Sequence, residues 1–255
     1  MIGGVMFSAA EILSKKDCFL LLEIVNSCVS CSNVTEAGSI ANKTRDLIGF
    51  DHAVYGLAKL NHHGCITAYE TLNFSYPAEW LDAYRTNNFH LLDPITTENF
   101  KNYSLQYWKD TFNTYDVEAK FLSAALDFRL VDGYAIGITN SFRTEGCIFS
   151  ISGPIKKEPR NELVLNLLAP HLHQAFRQVL SVEKKGKIST TITIREREVL
   201  NWIKKGKSSW DISTILAISE RTVKFHVDNV MRKLDAVSRI HAVAVALSVG
   251  LIDID

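Results

Sequence analysis

The sequence is short of the features that mark membrane, secreted and repetitive proteins. The apolar stretch Cys18–Val25 contains Glu23 and falls well below the roughly 20 apolar residues that a membrane-spanning helix needs. The first residues, MIGGVMF, carry no basic segment ahead of an apolar one, so no secretory signal is expected. No internal repeat or low-complexity tract stands out. These absences favour a globular protein of the cytoplasm.

Cysteine is scarce and irregularly spaced. There are five cysteines, an odd number, and without an export signal reduced thiols are expected rather than disulfides. Cys28 and Cys31 could form half of a zinc site. The other half would be His62, His63 and Cys65, but four-ligand zinc sites usually show two tight pairs, and here there is one. We expect simple thiols, no metal and no cofactor.

The chain has no net charge, but its charges are unevenly distributed. From Lys184 to His241 there are 13 Lys and Arg against 6 Asp and Glu, and the remainder holds 15 against 22. Phosphate binding by one domain would produce this pattern, although a modest basic excess is also compatible with a merely solvated surface. At 255 residues, two domains are expected.

The residues after Ser219 predict a helix with two unlike faces. One face is apolar and recurs at i, i+4, i+7 and i+11: Val223, Val227, Val230 and Leu234. The neighbouring face is mixed and carries three cations: Arg221, Lys224, Phe225, Asp228 and Arg232. Such a helix suits the major groove of DNA, and the alternative is an ordinary amphipathic surface helix with solvated charges.

Helix-start signals lie on both sides of this segment. Thr193, with Glu196 three residues on, forms a capping box, and Gly206 is placed to end that helix. Ser208 and Ser238 begin two further helices. Four short helices with a tight turn between the second and third predict a helix-turn-helix domain.

Five motifs follow one another between Ile192 and Ile252: ITxREREVL, GKSSWDIS, ISERTVKFHVxN, RKL and GLI. This stretch resembles the DNA-binding domain of LuxR-type transcription regulators. The family's most constant positions fall on Glu196, Leu200 and Gly206. One departure is Ala217, where helix-turn-helix proteins usually have Gly. If that residue is left-handed, Ala costs roughly 1–2 kcal/mol.

The candidates for DNA contacts lie on the predicted helix after Ser219, except Lys207, which precedes the helix that begins at Ser208. The candidates for base edges are Lys224, Thr222, Phe225 and Asp228. The candidates for phosphate contacts, which set position rather than sequence, are Arg221, Arg232, Lys233 and Lys207. We expect a homodimer on a two-fold symmetric site in double-stranded DNA.

The first part of the chain predicts helices on both sides of an antiparallel sheet. Helices are predicted at Ala9–Val29, Val34–Leu47, Pro77–Asn87, Asp116–Phe128 and Pro159–Leu180, and strands at His52–Lys59, Cys65–Leu72, Tyr134–Thr139 and Cys147–Ser152. Asp93-Pro94 is interpreted as a loop, and the charged segment Glu183–Ser189 as a linker. The expected fold class is α/β plus all-α. Residues 1–182 form an α/β/α sandwich with a central antiparallel sheet, 183–192 a linker and 193–255 the four-helix helix-turn-helix domain.

Aromatic side chains line one face of a predicted helix in this first domain. Tyr76, Trp80 and Tyr84 occur at i, i+4 and i+8, and Asp93 and Trp108 follow. Aromatic walls with one carboxylate and a few donors suit a small, mainly apolar ligand with a polar head. The alternative is plain core packing.

The pattern Y-x3-W-x3-Y-x8-D-P, with a later Trp, resembles the autoinducer-binding domain of the same LuxR family. The resemblance implies an N-acyl-homoserine lactone as the ligand. Trp80 would donate to the lactone carbonyl and Tyr76 to the amide carbonyl. Asp93 would accept from the amide N–H, and Tyr84 and Trp108 would form the wall.

Two further positions match the same family. Gly133 corresponds to its glycine before a strand, and Ser150 to a Ser or Thr that faces the ligand. Gly137 departs from the family's usual Pro, and the loop at 140–146 is longer by one residue.

The predicted protein is a quorum-sensing transcription regulator that binds an acyl-homoserine lactone. A LuxR-type receptor for a different small apolar signal is an open alternative. An enzyme that degrades the signal is a weaker one, because the sequence has no G-x-S-x-G motif and no cluster of metal-binding histidines.

Overall fold

An antiparallel sheet is the centre of the N-terminal part of the computed structural model, which describes residues 9–61, 63, 65–130 and 132–253. For residues 9–10 and 185–191 the description is limited to the backbone. The strands are β1 (His52–Leu60), β2 (Ile66–Asn73), β3 (Gln106–Tyr107), β4 (Gly133–Ile136) and β5 (Glu145–Ser152). They lie in the order β2-β1-β5-β4-β3, so β2 and β3 are the edges.

Helices precede, interrupt and follow the strands. They are α1 (Ala9–Ile12), α2 (Lys15–Ser30), α3 (Val34–Ile48), α4 (Ala78–Thr86), α5 (Pro94–Asn102), α6 (Trp108–Thr114), α7 (Ala119–Asp127) and α8 (Pro159–Thr191), with a short 3-10 helix at Phe89–Leu91. The chain divides into two compact units, Met1–Leu180 and Ser181–Asp255. The predicted domain bounds stay predictions.

The two faces of the sheet serve two separate hydrophobic clusters. Along β1, Ala53, Tyr55 and Leu57 point to one face, where α2, α3 and α8 cover the sheet. Val54 belongs to the cluster on the opposite face, which α4 to α7 cover. Because successive strand residues alternate between faces, Gly56 lies on the side of Val54. This arrangement confirms the α/β/α sandwich.

Three elements between residues 94 and 114 escaped the sequence prediction. Asp93-Pro94 does not form a loop. Asp93 caps α5, and Pro94 occupies its first turn, where a missing N–H costs nothing. Short α6 and two-residue β3 show too little periodicity to be recognised.

The boundary of the last N-terminal helix was also predicted wrongly. The helix predicted to end at Leu180 continues as α8 to Thr191, through the predicted linker. Lys and Glu are good helix formers, and a single Gly costs only about 1 kcal/mol, so the charged segment need not end the helix. Residues 62 and 64, between the predicted strands His52–Lys59 and Cys65–Leu72, lie outside the described residues.

The C-terminal unit contains α9 (Ile194–Lys204), α10 (Ser209–Leu216), α11 (Glu220–Lys233) and α12 (Arg239–Ser248). The predicted caps are present: Thr193 and Ser208 form capping boxes, and Ser219 and Ser238 accept from N–H groups of their own first turns. Gly206 follows α9 with φ of +76°, as an end signal requires. The four-helix helix-turn-helix domain is confirmed.

Within the described ranges, no helix combines the length and the apolar character that a membrane crossing requires.

Candidate functional site

Trp80 is the centre of an aromatic cluster on the α4–α7 face of the sheet. Its ring centroid lies 5.7 Å from Tyr84 and 5.9 Å from Phe89. Phe121 and Phe128 of the α7 region are 6.1 and 5.7 Å away. Tilted and edge-on aromatic contacts at these distances are favourable, so the cluster is a rigid wall.

Asp93 is a buried carboxylate at the edge of this wall. Its side chain accepts three hydrogen bonds, all of 2.8 Å: Oδ1 from the Ile95 N–H, and Oδ2 from the hydroxyls of Tyr84 and Thr96. Burial raises the pKa of Asp93, and the donated hydrogen bonds oppose part of that rise. A carboxylate has about four acceptor positions, so a fourth donor can still be accommodated.

Tyr76 lies on the sheet side of the same site. Burial raises the pKa of its phenol, and the nearby hydroxyls of Ser150 and Ser152 oppose that rise. Ser150 is buried, and it pairs with Val54 of β1 in the sheet, on the face of the aromatic cluster. The structure therefore brings the predicted Ser150 next to Tyr76.

Buried donors without acceptors mark this region. The Trp108 indole is almost fully buried, and its Nε1–H has no hydrogen-bond partner among the described residues. The Ser152 hydroxyl, at zero exposure, is in the same situation. An unsatisfied buried polar group costs about 1–3 kcal/mol, so such groups call for a partner that the protein does not supply.

The fold requires glycine at position 133, whether or not a ligand is bound. A Cβ at this position would lie 2.1 Å from the Ile151 carbonyl oxygen of the neighbouring strand. Gly137 is similar, since its Cβ would lie 2.3 Å from Asn99 Oδ1 on α5. Both glycines allow close backbone approach, and the predicted ligand contact of Gly133 is untested.

Sequence reasoning missed two residues of this site. Thr96 shares the Asp93 carboxylate with Tyr84, and its place at the third residue after a helix cap could have signalled it. Tyr69 reaches into the site from the edge strand β2, over Gly56. Nothing local distinguishes Tyr69 from other strand tyrosines, because its position depends on cross-strand pairing.

The surface of α11 is the candidate nucleic-acid interface. Most of the predicted contact residues are exposed: Lys207, Arg221, Lys224, Phe225, Asp228 and Arg232. Lys224 pairs with Glu220 within the helix at 3.0 Å, a surface ion pair that DNA could readily replace. Thr222 is half-buried, and its hydroxyl lies 2.8 Å from that of Ser219 at the helix cap.

Lys233, a predicted phosphate contact, is paired within the protein. Its ammonium donates to both carboxylate oxygens of Glu196, at 2.8 and 2.7 Å. Although burial works to raise the pKa of Glu196, hydrogen bonds from Lys233 and Thr193 lower it overall. Since removing one partner would leave the buried Glu196 charge uncompensated, Lys233 ties α11 to α9. The predicted phosphate contact of Lys233 stays a prediction.

Among the described residues, no group of three His, Cys, Asp or Glu is placed to hold a metal ion. A surface cleft of 510 Å³ lies beside β3, and none of the predicted ligand residues lines it. Its polar side chains are occupied with each other, since Thr111 donates to Gln106 and Lys157 pairs with Asp110.

Two families match this chain. The family described as autoinducer binding domain matches residues 33–176. The family described as bacterial regulatory proteins, luxR family, matches residues 190–246. The first match contains the aromatic cluster and Asp93, and the second contains α9 to α11.

Individual proteins resemble the chain over most of its length. The transcriptional activator protein SolR of Ralstonia nicotianae is 33% identical over 223 residues, which cover 84% of this chain and 90% of SolR. The quorum sensing-dependent transcriptional regulator RpaR of Rhodopseudomonas palustris is 34% identical over 186 residues, 71% of this chain and 75% of RpaR. The crystal structure of Escherichia coli SdiA has a TM-score of 0.53 at 23% identity, over 94% of this chain and 98% of SdiA, and supports the fold.

Proposed function

The chain belongs to the luxR family of bacterial regulatory proteins, and on that basis we propose that its signal is an N-acyl-homoserine lactone. It is a quorum-sensing transcription regulator with an autoinducer-binding domain and a helix-turn-helix DNA-binding domain, and not an enzyme. The signal-degrading alternative is therefore set aside.

The observation that carries the lactone proposal is the surroundings of Asp93. One acceptor position of its buried carboxylate remains for an amide N–H, and donors without protein acceptors lie nearby. Trp80 then donates to the lactone carbonyl and Tyr76 to the amide carbonyl. Tyr84 and Trp108 bound the site, and Ser150 lies beside Tyr76. Burial of the acyl chain stabilises the complex by about 0.8 kcal/mol per CH₂.

The DNA-binding part of the proposal rests on α11. We place Lys224, Thr222, Phe225 and Asp228 at base edges. Arg221, Arg232, Lys233 and Lys207 contact phosphates, and Lys233 also pairs with Glu196. As a homodimer, the protein presents two copies of α11 to successive major grooves of a two-fold symmetric site.

Signal and DNA binding are linked through the folded state. A ligand that binds only the folded protein stabilises it by RT ln(1 + [L]/Kd), about 2.7 kcal/mol at a hundredfold excess over Kd. We propose that the protein acts in the cytoplasm, with residues 1–182 as the signal domain, 183–192 as a linker and 193–255 as the DNA-binding domain.

Asp93→Asn tests the lactone site. Loss of a charge-assisted hydrogen bond is expected to weaken the lactone response by about 1–3 kcal/mol. The measurement is the lactone concentration that gives half-maximal operator binding by the full-length protein. Asp82→Asn, at an exposed position on α4, is the matched control. An unchanged dose–response in Asp93→Asn would remove Asp93 from the site.

Mass spectrometry of the small molecules that co-purify with the protein tests the class of signal. An N-acyl-homoserine lactone, lost from the Asp93→Asn variant, is the expected result. A different small apolar compound that depends on Asp93 in the same way would replace the lactone proposal with the alternative receptor.

A further inference from the structure

Tyr69 occupies an unusual position on the edge of the sheet. The residue is 49% exposed, yet its side chain extends over the face of the sheet, so that its hydroxyl lies above β1. A Cβ built on Gly56 would lie 1.8 Å from the Tyr69 hydroxyl oxygen and 2.5 Å from Cζ. Tyr69 pairs with Ala58, two residues from Gly56 and on the same face, so the ring lies diagonally across β1. Only glycine at position 56 leaves room for it.

The ring of Tyr69 is partly exposed, but its hydroxyl end lies over Gly56 and is influenced by the charge of Asp93. Burial raises the pKa of Tyr69, and the charge of Asp93 raises it further. The charge of Tyr76 also raises the pKa of Tyr69, and the charge of Tyr69 raises the pKa of Tyr84. Tyr84 is the phenol that contacts Asp93 directly, and Tyr69 approaches the same region from the edge strand over Gly56.

The Tyr69 hydroxyl has no hydrogen bond to any residue that the structure describes, in contrast to the Tyr84 hydroxyl, which donates to Asp93. Asp93 Oδ2 is already taken by Tyr84 and Thr96, and Oδ1 by the Ile95 N–H. A phenol at the edge of a ligand site gains from an acceptor. A bound molecule that lies over Gly56 can supply that acceptor.

In an unsubstituted acyl-homoserine lactone, the acceptors left for Tyr69 are the ring ester oxygen, a weak acceptor, and the second lone pairs of two carbonyls that already accept other donors. In the proposed function, on which this inference rests, Trp80 takes the lactone carbonyl and Tyr76 the amide carbonyl. The amide N–H goes to Asp93. A further acceptor close to the amide has to sit on the first carbons of the acyl chain, where a carbonyl or hydroxyl oxygen at carbon 3 fits.

We propose that Tyr69, lying over Gly56, selects acyl-homoserine lactones that carry an oxygen at carbon 3 of the acyl chain. The phenol donates to that oxygen, whether it is a ketone or a hydroxyl. Gly56 acts as a positioning residue, since it admits the phenol to the site.

The test compares three lactones of equal chain length: N-hexanoyl, N-(3-oxohexanoyl) and N-(3-hydroxyhexanoyl) homoserine lactone. Binding to the full-length protein is measured by titration calorimetry. The unaltered protein is expected to bind the preferred oxygenated lactone about tenfold more tightly than the unsubstituted one, the factor that corresponds to one neutral hydrogen bond. Comparing the affinities of the 3-oxo and 3-hydroxy lactones shows which oxygen the site prefers.

Tyr69→Phe removes the donor and keeps the ring. It is expected to bring the ratio between oxygenated and unsubstituted lactones to about one, without loss of affinity for the unsubstituted lactone. Gly56→Ala, whose new methyl group displaces the phenol, is expected to lower the same ratio. Tyr103→Phe is the matched control, because Tyr103 lies over Gly146 in a similar way. In this variant, the affinity ratio between oxygenated and unsubstituted lactones should equal that of the unaltered protein.

Two results would overturn the inference while leaving the proposed function intact. One is equal binding of all three lactones by the unaltered protein. The other is a preference that persists in Tyr69→Phe. Failure of every lactone to bind would instead refute the proposed function itself.

Discussion

Ala217 ends α10 in the left-handed region, with φ of 52° and ψ of 45°. A side chain in this conformation costs roughly 1–2 kcal/mol, so the expected strain is present. Neighbouring contacts hold the turn in place. The Ile218 N–H donates to the Ser213 carbonyl at 3.1 Å, and Arg195 donates to the Leu216 carbonyl at 2.8 Å. These bonds offset the strain and fix the entry into α11.

Ala217→Gly is expected to raise the free energy of unfolding of the C-terminal unit by about 1 kcal/mol, because glycine adopts this conformation without strain. Differential scanning calorimetry of the full-length protein measures it. Gly206→Ala is the matched control, and it is expected to lower the free energy of unfolding. Gly206 also has a positive φ, and its new Cβ would meet nothing within 4 Å, so backbone strain is the main effect. A loss of stability in Ala217→Gly would contradict the account.

At the scale of the element, α11 separates packing from recognition. Val223 and Val230 are buried on one side. Lys224 and Phe225 are exposed on the other, and Phe225 offers an apolar surface of the kind that contacts a thymine methyl group. Ser219 caps the helix start, so the exposed side chains project from a fixed frame.

Lys224→Ala is expected to weaken binding to the specific operator by about 1–3 kcal/mol, and binding to unrelated DNA by less, if Lys224 reads a base. Arg221→Ala should weaken both more evenly and reduce the salt dependence by about one unit of slope. Electrophoretic mobility shifts at several salt concentrations measure both effects. Equal losses on both DNAs in Lys224→Ala would make Lys224 a phosphate contact.

At the scale of the whole N-terminal unit, one ion pair joins three helices. Arg160 at the start of α8 donates to Asp17 in the first turn of α2 and to the Leu47 carbonyl near the end of α3. Asp17 also completes a capping box with Ser14. The hydrogen bond from Arg160 lowers the pKa of Asp17 from 3.8 to about 2, against the opposing effect of burial.

The lowered pKa of Asp17 predicts that the free energy of unfolding decreases at low pH. Its ionised form is stabilised by folding, so the contribution is present above about pH 4 and is lost as the pH falls towards 2. Asp17→Asn is expected to destabilise the protein by about 1–3 kcal/mol at pH 7, with a difference that shrinks below pH 4. Urea unfolding at several pH values measures it, with the exposed Asp46→Asn as control. A pH-independent difference would show that the ion pair is not the cause.

The sequence by itself determined the features that depend on neighbours in the chain. The caps at Thr193, Ser208, Ser219 and Ser238, the end at Gly206 and the apolar stripe of α11 involve contacts within a few residues, which spacing reveals. The aromatic series Tyr76, Trp80 and Tyr84 and the Asp93-Pro94 pair were also visible in the sequence, although the helix that Asp93 caps was missed.

Only the tertiary structure decided which residues from distant segments meet. Tyr69 reaches the site through the register between β1 and β2, and Gly56 matters only because of that register. Lys233 pairs with Glu196, 37 residues away, and so joins α11 to α9. Such contacts follow from packing and strand pairing, which a local pattern of polar and apolar residues does not encode.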